Sequence, residues 1–174
     1  ITELIKNKQL KVITHEIIYK TIEDYEAYRD SLKKEIELRE LNQLVRPCKF
    51  LLLKGYVFRQ NNPAVVGVEI EIGKIRSGNP IMNADGKHLT TVKAMEENKE
   101  SINIADQGKQ IAMSMDNVTV GRQIHEGDFL YTDIPEGHFK KLKELKRHLT
   151  KNEIEVLKEI LEIKRKDNPV WGVG

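Results

Sequence analysis

Side chains that take part in catalysis are few in this sequence, and their spacing matches no catalytic pattern. The five histidines form no pair at metal-ligand spacing, and Cys48 has no second cysteine to help it hold a metal. The histidines are His15, His88, His125, His138 and His148. A lone cysteine without an evident base is more often a small buried hydrophobe than a nucleophile. The sequence therefore predicts neither a metal site nor a catalytic centre.

Glycine–lysine pairs occur twice, but neither is spaced for nucleotide binding. Gly73-Lys74 and Gly108-Lys109 are the nearest approaches to a phosphate-binding loop. Both lack the glycine five residues earlier and the Ser or Thr that follows the lysine in that motif. We therefore expect no nucleotide site and no cofactor in this chain.

Basic residues on predicted turns offer a first binding surface. Lys74 and Arg76 lie in IGKIRSG, which we interpret as a turn at one edge of a β module. Lys93 and Lys109 can add to the same positive rim, which would suit a few phosphate groups. The alternative interpretation is that these are ordinary solubilising side chains.

The C-terminal region offers a second binding surface. Its apolar residues follow helical spacing over two helices, and a pair of that size leaves some apolar area uncovered. A groove bordered by Lys and Arg would take a short acidic and apolar peptide, while docking of the helices onto the β module is an equal alternative. The candidate partner-binding residues are Phe139, Leu142, Leu145, Lys146, Arg147, Leu149, Ile154, Leu157, Leu161 and Trp171.

The composition indicates a globular chain with little overall charge bias. Hydrophobic residues make up 39% and charged residues 32%, and the formal net charge is +2. This balance gives no case for nucleic-acid binding through global basicity. A single cysteine fits a reducing compartment, and neither a signal peptide nor a long apolar run is present. We expect a cytoplasmic protein, and a start at Ile1 rather than Met suggests a fragment.

Residues 47–134 have the pattern of a β module. Short runs of β-branched and alternating residues are separated by turn signals, of which Asp85-Gly86 is the best hairpin signal. Such a series favours a closed barrel or a sandwich. The predicted strands cover residues 49–58, 64–72, 80–83, 88–96, 101–105, 109–115 and 128–132.

Residues 21–46 predict a long connecting helix. The segment contains neither Gly nor Pro, Thr21 with Asp24 resembles a capping box, and Pro47 stops the helix. Its narrow apolar stripe favours a solvent-bridging connector over the strand of a coiled coil.

The two ends of the chain complete the predicted organisation. Residues 135–174 predict a helical pair and a tail, with Pro135 at a first helical position and a capping box at Thr150 and Glu153. Residues 1–20, with a strand over 10–19, are interpreted as the remnant of a preceding α/β domain.

Several segments, taken in order, resemble a known family. Together they look like the C-terminal part of translation initiation factor 5B, the archaeal and eukaryotic counterpart of bacterial initiation factor 2. The resemblance covers nearly the whole chain from about Leu10, and the Lys/Glu/Ile-rich sequence favours an archaeal member. The segments are IIYKTIEDYEAYR, PCKF, YVFRQNNPAVVGVEIEIGKIRSGNPI, DQGKQIAMSM and HEGDFLYTDI.

The resemblance implies a fold and a function. It implies a mainly β barrel similar to domain II of translational GTPases, between a long N-terminal helix and two C-terminal helices. Family members are GTPases that promote joining of ribosomal subunits, but GTP and magnesium belong to a domain that this chain lacks. The barrel is expected to bind the methionylated acceptor end of initiator tRNA, and the terminal helices to bind initiation factor 1A.

The family's tRNA contacts lie on barrel loops, which gives a set of matching positions here. Gly108 among them suits a close approach of the backbone to a ligand, although a β-bulge explains it equally well. The alternative function is a structural spacer or protein-interaction module without nucleic-acid binding of its own, and an enzyme ranks third. The candidate tRNA-binding residues are Lys74, Arg76, Lys93, Gln107, Gly108, Lys109 and Met113.

Overall fold

The computed structural model describes residues 18–173. The predicted remnant strand over residues 10–19 lies outside the described residues except for its last two positions, which are helical. The chain divides into two compact units, residues 1–40 and residues 41–174.

The connecting helix α1 spans Ile18–Gln43. Thr21 lies inside α1, so the prediction that it caps the helix is wrong. The helix also ends before Arg46, because a residue that precedes proline is disfavoured in the helical region. Leu44 and Val45 instead turn into the core of the second unit, where both are 8% exposed.

The β module is a closed antiparallel barrel, as predicted. Six strands close the ring in the order β1-β8-β3-β4-β7-β2, with β2 pairing back to β1. Two short strands extend it, β5 beside β4 and β6 beside β2. The strands are β1 (Cys48–Arg59), β2 (Ala64–Arg76), β3 (Pro80–Asn83), β4 (His88–Glu97), β5 (Glu100–Ile102), β6 (Ile104–Asp106), β7 (Gln110–Met115) and β8 (Phe129–Thr132).

Strand β2 is longer than predicted and includes two of the candidate tRNA-binding residues. Gly73 has a φ of +84° and lies opposite Cys48, and beyond it β2 continues to Arg76 and pairs with β6. A glycine can absorb this irregularity without ending the strand. Lys74 and Arg76 are therefore strand residues, and the prediction that they lie on a turn is wrong.

The C-terminal helices follow the barrel closely in sequence. They are α2 (Glu136–Glu144), a 3-10 turn over Lys146–His148, and α3 (Lys151–Asp167). Pro135 was predicted to be the first helical residue of α2. It has an extended backbone and is instead the N-cap, so the helix begins at the next residue. The predicted capping box of α3 is confirmed, since the Thr150 hydroxyl accepts a hydrogen bond from the Glu153 N–H and the Glu153 carboxylate accepts one from Thr150.

Two hydrophobic cores hold the second unit together. The first fills the barrel, with Phe50, Val68 and Met113 fully buried. The second packs the C-terminal helices against the outside of the barrel, the last turn of α1 and the segment after it. Its barrel and linker members include Leu41, Leu44, Val45, Met82, Tyr131 and Ile134, and its helical members include Phe139, Leu142, Leu145, Leu149, Val156, Leu157, Ile160 and Ile163.

Candidate functional site

An open groove on the barrel surface, here called the aromatic groove, is a candidate binding site. It crosses the ends of β1, β2, β4 and β7 and has a volume of about 550 Å³. Most of its lining is apolar. The lining residues are Leu53, Tyr56, Phe58, Val65, Gly67, Glu96, Asn98, Lys99, Gln110, Ile111 and Ala112.

Two exposed aromatic side chains form one wall of the aromatic groove. Tyr56 is 54% exposed and Phe58 is 65% exposed, and their rings meet edge to face with 6.5 Å between centroids. Both lie on β1 two residues apart, so they project from the same face of the strand. Burying such rings against a ligand would recover a large apolar area.

A glycine makes the floor of the aromatic groove. A Cβ at Gly67 would lie 2.7 Å from the Tyr56 Cβ. Only a residue without a side chain therefore allows Tyr56 to pack directly on β2. Polar groups stand at the rim, where Gln110 donates to Glu69 at 3.0 Å and Lys99 is exposed. The arrangement offers a flat apolar wall with hydrogen-bonding groups beside it, which suits a base or an apolar side chain.

The four predicted cationic residues of the barrel are all engaged with neighbouring groups. Lys74 pairs with Asp106 at 3.0 Å, Lys93 with Asp116 at 3.1 Å, and Lys109 with Glu97 at 2.6 Å. The hydrogen bond from Lys109 to Glu97 raises the pKa of that lysine. Arg76 donates to the main-chain carbonyl of Asn42 at 2.5 Å, at the end of α1. The four therefore do not form a free positive rim.

The predicted segment from Gln107 to Met113 is divided between surface and core. Gln107 and Gly108 are exposed on the turn before β7, and Gly108 has a φ of +83°. Met113 is fully buried in the barrel, so its side chain does not reach the surface. Gln110, Ile111 and Ala112 line the aromatic groove instead.

Sequence reasoning missed Tyr56 and Phe58. Their signal is an aromatic–x–aromatic pattern in GYVFRQ, where a glycine precedes and charged or polar residues follow. Alternation along a strand can predict that both rings share a face. It does not say whether that face is covered.

The C-terminal helices form a second groove, here called the lysine groove. Its volume is about 230 Å³, and apolar side chains lie at its base between exposed lysines. The lining residues are Phe139, Lys143, Lys146, Ile154, Leu157, Lys158 and Leu161.

The predicted partner-binding residues divide between the lysine groove and the core beneath it. Five of them line the groove: Phe139, Lys146, Ile154, Leu157 and Leu161. The leucines at 142, 145 and 149 are 8% exposed or less, because they pack in the second core. The helices therefore pack on the barrel and also leave an open groove, with Phe139 and Leu157 belonging to both the second core and the groove lining, and peptide binding by the groove stays a prediction.

The remaining two predicted residues lie near the groove without lining it. Trp171, in the C-terminal tail, packs on Phe139 of the groove, with 4.7 Å between ring centroids. Arg147 is exposed on the 3-10 turn.

A buried ion pair fixes the helix pair to the end of the connecting segment. The Arg46 guanidinium donates to both carboxylate oxygens of Glu153, at 2.6 and 2.8 Å. The Glu153 side chain is only 2% exposed, and the Arg46 side chain is 14% exposed. His138 adds a second link by accepting a hydrogen bond from the Val45 N–H at 3.1 Å.

A second polar cluster ties α3 to the barrel wall. Glu159 accepts from Lys49 at 2.9 Å and from the Tyr131 hydroxyl at 3.0 Å. Burial and then the hydrogen bond to Glu159 raise the pKa of Tyr131. Burial lowers the pKa of Lys49, but its contacts with Glu159 and Tyr131 outweigh this, so the net shift is upward. The cluster holds the helices in place.

Within the described residues, no group of His, Cys, Asp and Glu is arranged to hold a metal ion. Cys48 is fully buried, and burial raises the pKa of its thiol far above the ordinary range, so that it stays protonated and inert. None of the described helices is long and apolar enough to cross a membrane.

Comparison with known proteins finds relatives among the translation factors. Residues 46–131 match the family model described as elongation factor Tu domain 4. The chain is 42% identical over 173 residues to a probable translation initiation factor IF-2 of Ignicoccus hospitalis and 45% identical over 171 residues to that of Hyperthermus butylicus. These alignments cover 98% and 97% of the chain but only 28% of each relative.

A solved structure shows the same fold. The GDP-bound aIF5B of Aeropyrum pernix matches with a TM-score of 0.74 and 40% identity, over 95% of this chain and 28% of that one. The chain therefore spans between a quarter and a third of the length of the proteins that it matches.

Proposed function

Since this chain belongs to the archaeal IF-2 (aIF5B) family of translation initiation factors and corresponds to their C-terminal part, we propose that it is a non-catalytic binding module. Its barrel holds the methionylated acceptor end of initiator tRNA, and its terminal helices bind initiation factor 1A. In the whole factor these contacts serve the joining of ribosomal subunits in the cytoplasm. GTP and magnesium belong to a domain outside this chain.

The observation that carries the tRNA proposal is the aromatic groove. An acceptor end presents unpaired bases and, when charged with methionine, a flexible apolar thioether. Unpaired bases stack on aromatic side chains, and thioethers make favourable contacts with aromatic rings. Tyr56 and Phe58 provide such rings without needing to move out of a core.

The predicted tRNA-binding residues differ in how well they could contact a ligand in the aromatic groove. Gln107, Gly108 and Lys109 lead directly into Gln110 at the rim of the aromatic groove, so they stay in the proposed tRNA surface. Lys74, Arg76 and Lys93, like Lys109, would have to exchange their present partners for phosphate groups. Met113 contributes to the barrel core beneath the surface.

Replacing Tyr56 tests the tRNA proposal. Tyr56→Ala should weaken binding of methionylated initiator tRNA by at least about fivefold, because stacking on an aromatic side chain contributes ~1–3 kcal/mol per base. Tyr56→Phe keeps the ring and should bind nearly as the wild type. Binding is measured by filter retention or fluorescence anisotropy at fixed salt.

The matched control is Tyr25→Ala, which removes an exposed tyrosine from α1, where 58% of that residue is accessible. This variant should bind tRNA normally. Equal affinity of the Tyr56→Ala and Tyr25→Ala variants would contradict the proposed site.

The lysine groove supports the second part of the proposal. Its apolar base and its border of Lys143, Lys146 and Lys158 fit a short peptide that carries acidic and apolar side chains. A structural spacer would need neither this groove nor the aromatic groove, so the two open grooves favour a binding role over that alternative.

A charge reversal tests the lysine groove. Lys158→Glu should weaken the affinity for initiation factor 1A by about fivefold and reduce its salt dependence, since exposed ion pairs contribute up to ~1 kcal/mol. Isothermal titration calorimetry at two salt concentrations measures both effects. Lys151→Glu, on the same helix but outside the groove, serves as the control. A loss of affinity in both variants, or in neither, would count against the groove.

A further inference from the structure

A third pocket lies at the opposite end of β4 from the aromatic groove. It opens between the β3–β4 hairpin and the loop that precedes β8, and its volume is about 500 Å³. His88 is the first residue of β4, while Glu96 at the other end lines the aromatic groove. Eight steps along a strand span about 26 Å, so the two pockets are separate. The lining residues are Asn83, Lys87, His88, Leu89, Arg122 and Gln123.

The electrostatics of this pocket differ from those of the predicted rim. Lys74, Lys93 and Lys109 each pair with a carboxylate, whereas Lys87 and Arg122 make no ion pair with any described residue. The pocket lining contains no carboxylate. Asp85 stands nearby but is bound within the hairpin turn, where the Asn83 amide donates to it at 3.5 Å. The carboxylate of Asp85 keeps its negative charge, so the two exposed cations leave the pocket with a reduced but still positive field.

The third basic side chain is held in place by a chain of contacts. His88 Nδ1 lies 2.8 Å from Asp133 Oδ2, and Lys164 of α3 contacts the other oxygen of Asp133 at 2.5 Å. Asp133 is 15% exposed on its side chain, and it fixes the imidazole ring so that Nε2 is left for a ligand. The presence of Lys164 offsets much of the negative charge of Asp133.

Internal hydrogen bonds hold both loops that shape the pocket. In the hairpin, Asn83 Oδ1 accepts from the main-chain N–H groups of Asp85 and Lys87, at 3.1 and 2.9 Å. In the other loop, Gln123 Oε1 accepts from the Thr119 N–H at 2.6 Å, and Ile124 is fully buried in the barrel. The main-chain positions that carry Lys87 and Arg122 are thus held, and only their side chains have to be ordered on binding an anion.

We infer that this pocket binds phosphate groups of an RNA backbone, at a site separate from the one proposed for the acceptor end. An ammonium and a guanidinium converge on an open cleft, and both donate hydrogen bonds to phosphate oxygens, while the imidazole of His88 adds a third donor when both of its ring nitrogens carry a proton. None of the lining residues is Phe, Tyr or Trp, so the pocket offers no large ring on which a base could stack, and the contact reads the backbone and not the sequence. The inference does not depend on the proposed function of the aromatic groove.

A blunt-ended RNA duplex is the probe, because its paired bases cannot enter the aromatic groove. The duplex should bind the chain with an affinity that falls as salt rises. The double substitution Lys87→Gln with Arg122→Gln should lower that affinity at least about fivefold at low salt and reduce the slope of log affinity against log salt by about two. Fluorescence anisotropy over a salt series measures both quantities.

The control removes the same charge elsewhere. Lys33→Gln with Lys34→Gln neutralises two exposed lysines of α1 and should leave the duplex affinity nearly unchanged. Tyr56→Ala should also leave it unchanged, which separates this site from the aromatic groove. If the pocket variant binds the duplex like the α1 control, or if Tyr56→Ala abolishes duplex binding, the inference is wrong.

Inorganic phosphate distinguishes the source of the ligand. It should perturb the Arg122 and His88 side-chain resonances weakly, and the duplex should perturb the same resonances at far lower concentration. Perturbation by phosphate without any binding of the duplex would make the pocket a site for a small anion and would overturn the RNA assignment.

Discussion

At the scale of single residues, charge pairing decides which cations are available to a ligand. Lys74, Lys93 and Lys109 are as basic in the sequence as Lys87, but only the structure shows that the first three each face a carboxylate. Exposed pairs of this kind contribute little to stability, about 0–1 kcal/mol each. Their larger effect is to cancel positive charge at the place where the sequence suggested a phosphate-binding rim.

The Arg46–Glu153 pair is a different case because it is buried. Arg46→Met leaves the Glu153 carboxylate with 2% exposure and without its cation, which should lower the free energy of unfolding by about 3–5 kcal/mol. Urea denaturation followed by circular dichroism measures this change.

The double variant Arg46→Met with Glu153→Gln is the control for that prediction. It removes both charges, and glutamine can still complete the capping box with Thr150. It should be more stable than Arg46→Met alone. A double variant that is less stable than the single one would show that the cost comes from lost packing and not from the unpaired charge.

At the scale of elements, one glycine permits the close approach of β2 to the start of β1. A Cβ at Gly73 would lie 2.0 Å from the main-chain oxygen of Pro47, and the φ of +84° is itself unfavourable for other residues. This is also the point at which the connecting segment enters the barrel. The bend therefore serves both the closure of the ring and the placement of the segment from Leu41 to Pro47.

Gly73→Ala should destabilise the second unit by more than about 2 kcal/mol, since a steric clash adds to the strain of a positive φ. Gly78→Ala is the matched control, because Gly78 has a φ of +85° but no atom within 4 Å of the added Cβ. It should lose only about 1 kcal/mol, the cost of the left-handed conformation for a residue with a Cβ. Comparison of the two midpoints of thermal unfolding isolates the steric part, and equal losses would contradict the proposed clash.

At the scale of the whole molecule, three open pockets lie on different parts of the second unit. The aromatic groove and the basic pocket are at opposite ends of β4, and the lysine groove is on the helix pair. Both hydrophobic cores lie behind these surfaces, so ligands can bind without unfolding any element. Such an arrangement suits a module that holds partners at fixed positions.

The sequence by itself determined the elements of this protein. Alternation and turn signals predicted the strands from Lys49 to Thr132, and Thr150 with Glu153 predicted the start of α3, because these signals arise from neighbouring residues. The ordered motifs also predicted the family. Boundaries set by long-range contacts were less well predicted: β2 runs past Gly73 because β6 pairs with its end.

Only the tertiary structure decided which surfaces are open. Leu142 and Leu161 follow the same helical pattern in the sequence, yet Leu142 packs on the barrel and Leu161 lines the lysine groove. Lys109 and Arg122 carry the same charge, yet only Lys109 meets a carboxylate. Burial and pairing depend on residues far apart in the chain, and local patterns carry no record of which distant residue the fold brings into contact.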